Sequence, residues 1–237
     1  ETPHAARVGT SGPTAVTPKF TFDAATHTYR LSGRRLEGTT EILAENGWIN
    51  AEWFRPIHAL RGQRVHAYCQ YLDEGEDVAG TLKIAAVDNG FDFGQGFEPY
   101  NKNEPEQGLD GYVESWRKLR EKTRFDIIDN ERPMYHDKLL YAGTPDRRVF
   151  MGKTEAIIDI KSGPYEPWHR FQSAAYSAMY APCADLRRRF GAHLQSDGAA
   201  AVLLEHDDYA DFSNFAAMLL CTRTRRKHRV KPLTGES

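Results

Sequence analysis

Two short stretches, Tyr141-Ala-Gly-Thr-Pro-Asp146 and Thr154-Glu-Ala-Ile-Ile-Asp-Ile-Lys161, decide how this chain is read. Both carry the β-branched and aromatic residues of strands, and Gly, Pro or Asn separates such segments along this part of the chain. In the second stretch, strand alternation puts Ile158 and Ile160 on one face and Ile157, Asp159 and Lys161 on the other. Asp159 and Lys161 are therefore neighbours. If the chain after Asp146 folds back antiparallel through Gly152-Lys153, Asp146 comes close to Asp159, thirteen residues further on. Two carboxylates buried together cost heavily unless a cation lies between them. Mg2+ or Mn2+, as one or two ions, suits such an oxygen-rich place. An ion held there polarises a phosphoryl oxygen and lowers the pKa of a bound water, while the lysine steadies hydroxide or developing negative charge. That chemistry points to phosphodiester hydrolysis.

Outward from this pair, Phe125 to Met134, Lys138 to Ala142, Asp146 to Met151 and Thr154 to Lys161 read as consecutive strands. Helical spacing predicts helices over Phe54 to Leu72, Leu109 to Lys122, Pro167 to Tyr180 and Tyr209 to Arg226. A small hairpin is expected from Lys19 to Ser32-Gly33, a capped helix start at Thr39-Thr40, and a hairpin joining Arg187–Leu194 to Ala200–Glu205. The first 18 residues, rich in Pro, Gly, Thr and Ala, are expected to be a flexible leader. Residues 73–110 hold ten acidic and two basic residues and read as a solvated excursion with one short helix near Thr81 to Val87. The expected fold is an α/β (α+β) single domain over 19–237, with a central mixed β-sheet flanked by helices.

Composition narrows the function classes. The 237 residues are 40% hydrophobic and 11% aromatic, enough for a sizeable core, so disorder as a whole is excluded. The 31 Lys+Arg nearly cancel 33 Asp+Glu, so any attraction to nucleic acid must be local. The longest apolar run, Phe215 to Cys221, is seven residues, whereas a membrane span needs about 18 or more. No membrane association and a cytoplasmic location are expected. Cys69, Cys183 and Cys221 are widely spaced without a CxxC, which argues against a disulfide framework, a structural zinc site and a four-cysteine iron–sulfur cluster.

Pro145-Asp146 followed by Asp159-Ile160-Lys161 resembles the motif that names the PD-(D/E)XK nuclease superfamily, with its restriction-endonuclease-like core. Gln172 and Tyr176, four apart and so on one helix face, resemble the Gln-x-x-x-Tyr motif of the RecB-like exonuclease branch. Arg61-Gly62-Gln63-Arg64-Val65-His66 resembles the helix in which that branch places a metal-binding histidine. The resemblance runs from about Phe20 to Leu220 and is strongest between His66 and Tyr176. It implies that His66, Asp146, Asp159 and the backbone carbonyl of Ile160 ligate the ion. Lys161 would position or activate water, and Gln172 and Tyr176 would brace the lysine and a substrate phosphate. Glu131 matches a glutamate often found in the branch. Iron–sulfur members do not fit, since the cysteines are missing. With no helicase motif or glycine-rich phosphate loop, any helicase or recombination partner would be another chain.

The implied activity is a metal-dependent deoxyribonuclease, foremost an exonuclease acting on linear or single-stranded DNA ends in recombination, repair or phage DNA processing within a bacterial cell. A restriction-type or structure-specific endonuclease and a non-catalytic nucleic-acid-binding protein are the alternatives. Candidate DNA-path residues are Arg61 and Arg64, the run Arg187-Arg188-Arg189 and the six basic residues from Arg223 to Lys231. Trp168, His169, Arg170 and Phe171 either contact the nucleotide or pack a helix start. The sequence does not reveal the oligomeric state.

Overall fold

The computed structural model describes residues 18–49, 56–75, 107–180 and 187–232. In chain order the strands are β1 (Phe20–Asp23), β2 (Thr28–Leu31), β3 (Arg34–Gly38), β4 (Asp126–Asn130), β5 (Met134–Tyr135), β6 (Tyr141–Gly143), β7 (Arg147–Met151), β8 (Thr154–Lys161), β9 (Arg188–His193) and β10 (Val202–Glu205). The helices are α1 (Thr39–Glu45), α2 (Pro56–Glu74), α3 (Gln107–Thr123), α4 (Trp168–Met179) and α5 (Asp211–His228). The leader up to Thr17, the short helix near Thr81 to Val87 and most of the acidic excursion lie outside the described residues.

The fold is mixed α+β, built on two mixed sheets. β8 is the centre of the sheet ordered β10-β9-β8-β7-β4. It pairs antiparallel with β7, Arg147 opposite Ile158 and Met151 opposite Thr154. Gly152 takes φ +65° at the first position of the two-residue loop, a backbone that glycine adopts without strain. β8 and β9 run parallel, Lys161 opposite His193, and α4 supplies the crossover that a parallel pair needs.

The alternation read from sequence is reproduced in the packing. Ile158 and Ile160 join Val65, Cys69, Trp116 and Leu119 in a core beneath α2 and α3. Ile157 joins Ile42, Leu43, Phe171, Tyr176 and Phe215 in a second core beneath α1, α4 and α5. Within β8 the buried stretch Ala156–Ile160 is apolar except for Asp159.

Three expectations are corrected. A second sheet, ordered β1-β2-β3-β6-β5, accompanies the central one; β3 and β6 run parallel, with Glu37 opposite Tyr141. The segment Phe125 to Met134 is not one strand. It breaks at Glu131, at φ +44°, so that β4 enters one sheet and β5 the other. Lys138 to Ala142 begins as a turn, and strand structure starts only at Tyr141 after Leu140 at φ +55°. Such left-handed residues interrupt a strand's hydrogen-bond ladder.

Several arginines of the two basic runs make ion pairs and hydrogen bonds within the fold. Arg223 donates to Glu37 at 2.8 Å, Arg225 to the Glu45 carbonyl at 2.9 Å, and Arg226 pairs with Glu41 and Glu45. These contacts fasten α5 to α1 and β3. Arg187 pairs with Glu155, Arg188 with Glu205 and Arg189 with Asp211. Trp168, His169 and Phe171 are buried, so they pack the start of α4.

Among the described residues, no helix is long and apolar enough to cross a membrane.

Candidate active site

The end of β8 carries the lysine. Asp159 and Lys161 share a face, and Lys161 Nζ lies 2.5 Å from Asp159 Oδ2. Nζ also donates to Gln172 Oε1 at 2.7 Å, and Gln172 Nε2 donates to the Tyr176 hydroxyl at 2.9 Å. Gln172 and Tyr176 are one turn apart on α4, so the helix holds a rigid chain of contacts against the amine. The ammonium also sits 5.0 Å from the centre of the Trp168 ring. Asp159, Gln172 and Tyr176 are all buried.

Asp146 ends the turn before β7. Continuing the β7–β8 register by one step sets it opposite Asp159. Its Oδ2 accepts the Ile160 N–H at 2.6 Å, and its Oδ1 lies 3.4 Å from His66 Nδ1. His66, on the inner side of α2, is 3.0 Å from the Ile160 carbonyl through Nε2. A carbonyl only accepts, so Nε2 carries the proton and Nδ1 is the atom turned toward the carboxylates. Glu131 Oε1 lies 3.4 Å from that same Nδ1. One nitrogen and two carboxylates, from His66, Glu131 and Asp146, thus offer ligand atoms within 4.8 Å of one another.

Electrostatics bind these groups together. Burial opposes charge on His66, but Asp146 and Glu131 outweigh it and raise its pKa to about 10. Burial alone would also raise Asp146; His66, Lys161 and the Ile160 N–H instead hold it below the usual carboxylate range. Asp159 goes the other way, pushed up by burial and by Asp146 against the pull of Lys161. Neighbouring carboxylates forced apart in this way are a mark of functional sites.

The expected ligand Asp159 stands opposite Asp146 in the continued β7–β8 register. His66 and Asp146 meet, and Glu131 completes the compact trio because the left-handed turn after β4 aims it inward. Asp159 belongs to the lysine half of the site, since Lys161 lies two residues along the same strand face. The Ile160 carbonyl faces His66 Nε2. Arg61 donates to the Ser162 carbonyl at 3.3 Å and lies 5.6 Å from the Tyr112 ring centre. It borders a cleft of about 460 Å³ that Tyr165, His193 and Gln195 also line.

Sequence reasoning missed the support behind the trio. Arg147, fully buried, pairs through Nε with Asp73 at 2.6 Å and through Nη1 with Glu131 at 3.1 Å. Its Nη1 also donates to the Asp146 carbonyl at 2.8 Å. Asp73 is further paired with Arg120 and accepts from Trp116 Nε1 at 3.1 Å. The available signal was an arginine directly after Asp146, at a strand position whose neighbours Val149 and Ile158 are core residues; such a site demands a carboxylate partner.

No protein-family model matches the chain, and no curated protein matches it.

Proposed function

We propose that this protein is a divalent-metal-dependent deoxyribonuclease of the PD-(D/E)XK type, acting as an exonuclease of the RecB-like branch. The observation that carries the reading is the joining of two half-sites through Asp146: a His66–Glu131–Asp146 trio fit for a cation, and a Lys161 amine braced by Gln172 and Tyr176. The donor set of one imidazole nitrogen and carboxylate oxygens suits Mg2+ or Mn2+. When bound, such an ion neutralises phosphate charge and makes a coordinated water more acidic.

The chain's own groups do the rest. Lys161, tethered on one side by Asp159 and on the other by Gln172, presents an ammonium fixed in direction, able to hydrogen-bond an attacking water or offset charge developing on the phosphate. The Ile160 N–H fixes one Asp146 oxygen, leaving the other toward His66. Arg147 fixes Glu131 from behind. Beside the lysine, the cleft with Arg61, Tyr112 and half-exposed Tyr165 offers a cation and π-faces, the features that take up single-stranded nucleic acid.

Incubation of end-labelled linear DNA and covalently closed circles with the protein and Mn2+ tests this. Degradation of linear DNA is expected, reduced at least about 10²-fold in Lys161→Ala, with Lys161→Ala folded by circular dichroism. No cleavage by the unaltered protein, or undiminished cleavage by folded Lys161→Ala, refutes it. Cleavage of circles as fast as ends reassigns the enzyme as an endonuclease.

A further inference from the structure

Beyond the nuclease reading, a second constellation lies on the far side of Lys161. His193 ends β9 and His206 follows β10; both are nine-tenths or more buried. His193 Nδ1 is 3.3 Å from the Gly163 carbonyl, which only accepts, so Nδ1 carries the proton. His206 Nδ1 is 2.9 Å from Ser173 Oγ, and that hydroxyl spends its one hydrogen on the Arg170 carbonyl at 2.9 Å. Ser173 Oγ must therefore accept, and His206 also carries its proton on Nδ1. In both rings the Nε2 lone pair is left over, and among the described residues neither Nε2 has a hydrogen-bond partner.

Both lone pairs border one space. A Cβ on Gly191 would stand 3.1 Å from His193 Nε2 and 3.4 Å from His206 Nε2. Gly191 is inside β9 and is not among the residues at positive φ, so the backbone does not require glycine there. Glycine in a strand interior weakens the strand and marks close approach by something else. Here it keeps the space between the two nitrogens clear. Burial lowers the pKa of both imidazoles, that of His206 to about 4, so the rings stay neutral at physiological pH. The third ring nearby, His169, stands 5.5 Å from His193 between ring centres; it accepts the Glu166 N–H at Nδ1 and so bears its proton on Nε2, with no lone pair there for an ion.

We infer that His193 and His206 form a site for a divalent transition ion of imidazole preference, Zn2+ or a neighbour such as Co2+ or Ni2+, separate from the carboxylate site. Two Nε2 atoms oriented by Nδ1–H bonds to oxygen match the way metal-binding histidines are held, and imidazole nitrogen without carboxylate disfavours Mg2+. The remaining ligands are water or a substrate group, since the cleft lined by Tyr165 and His193 adjoins the site.

Equilibrium dialysis against Zn2+ in excess Mg2+ tests the assignment, in a His66→Gln background that removes imidazole from the carboxylate site. One Zn2+ per chain is expected, lost in His193→Gln and His206→Gln. Gly191→Ala, which keeps both imidazoles and fills the space, is expected to lose it too. Ser173→Ala is expected to weaken it about 10–100-fold. Zn2+ binding unchanged by these substitutions overturns the inference. So does a Zn2+-soaked crystal of the unaltered protein without anomalous density between the two Nε2 atoms, a readout independent of variant folding and of nuclease activity.

Discussion

Mn2+ binding at the trio must displace a proton, and the structure sets how many. With Nε2–H committed to the Ile160 carbonyl, the only nitrogen His66 can give a metal is Nδ1. In the metal-free protein that atom is protonated up to about pH 10, because Asp146 and Glu131 lie 3.4 Å away. Metal and proton compete for one lone pair. The apparent affinity should therefore rise about tenfold per pH unit, or about 100-fold between pH 7 and pH 9. Asp159, pushed up by burial, adds a further fraction of a proton below neutrality and steepens the slope there. Isothermal titration calorimetry in two buffers of different ionisation enthalpy counts the protons directly, and about one per Mn2+ is expected at pH 8. His66→Gln should flatten the slope above neutrality. The same shift gives a stability signature in metal-free protein. A raised folded pKa stabilises fully below the unfolded value of 6.5 and is lost as pH rises through about 10. Mn2+ affinity independent of pH between 7 and 9, with no proton released, would refute this reasoning.

Other outcomes follow from neighbouring geometry. Arg147→Met removes one of the two arginines paired with Asp73, whose side chain is 1% exposed, and should cost about 3 kcal/mol in urea unfolding, the low end for a broken buried pair because Arg120 and Trp116 still reach Asp73. A loss below about 1 kcal/mol contradicts it. Gly143→Ala would bring a Cβ to 2.7 Å from Tyr176 Cε1 and 2.8 Å from Thr39 Oγ1. It should destabilise the protein by about 1–3 kcal/mol and slow DNA cleavage by shifting Tyr176 away from Gln172, both measurable on one preparation. Glu131→Gln removes one of the two carboxylates that raise His66; the imidazole titration followed by NMR should move down, and Mn2+ binding should weaken.

Much of the lysine half of the site was legible because it is local. Strand alternation alone sets Asp159 beside Lys161, and helical periodicity sets Gln172 beside Tyr176. The β7–β8 hairpin was readable from Gly152-Lys153. What was not legible depends on distant partners or on single left-handed residues. Glu131 was picked out by resemblance alone; its reach to His66 goes with its own φ of +44°, which no pattern of apolar residues records. The second sheet rests on β3 meeting β6 across about a hundred residues, with only two register pairs. The ion pairs of Arg223 and Arg226 were not legible because their partners, Glu37, Glu41 and Glu45, lie far back in the chain. His193 and His206 carried no telling spacing, since a hairpin brings them together and glycine at 191 makes the room.

The most direct measurement is the anomalous difference map of a crystal soaked in Mn2+ at pH 8. A peak bonded to His66 Nδ1 and to oxygens of Asp146 and Glu131, with Lys161 Nζ still held by Gln172, is the expected result. Manganese elsewhere, with His66 still bridging Asp146 and Glu131 as in the metal-free protein, would contradict a hydrolytic metal centre at this position.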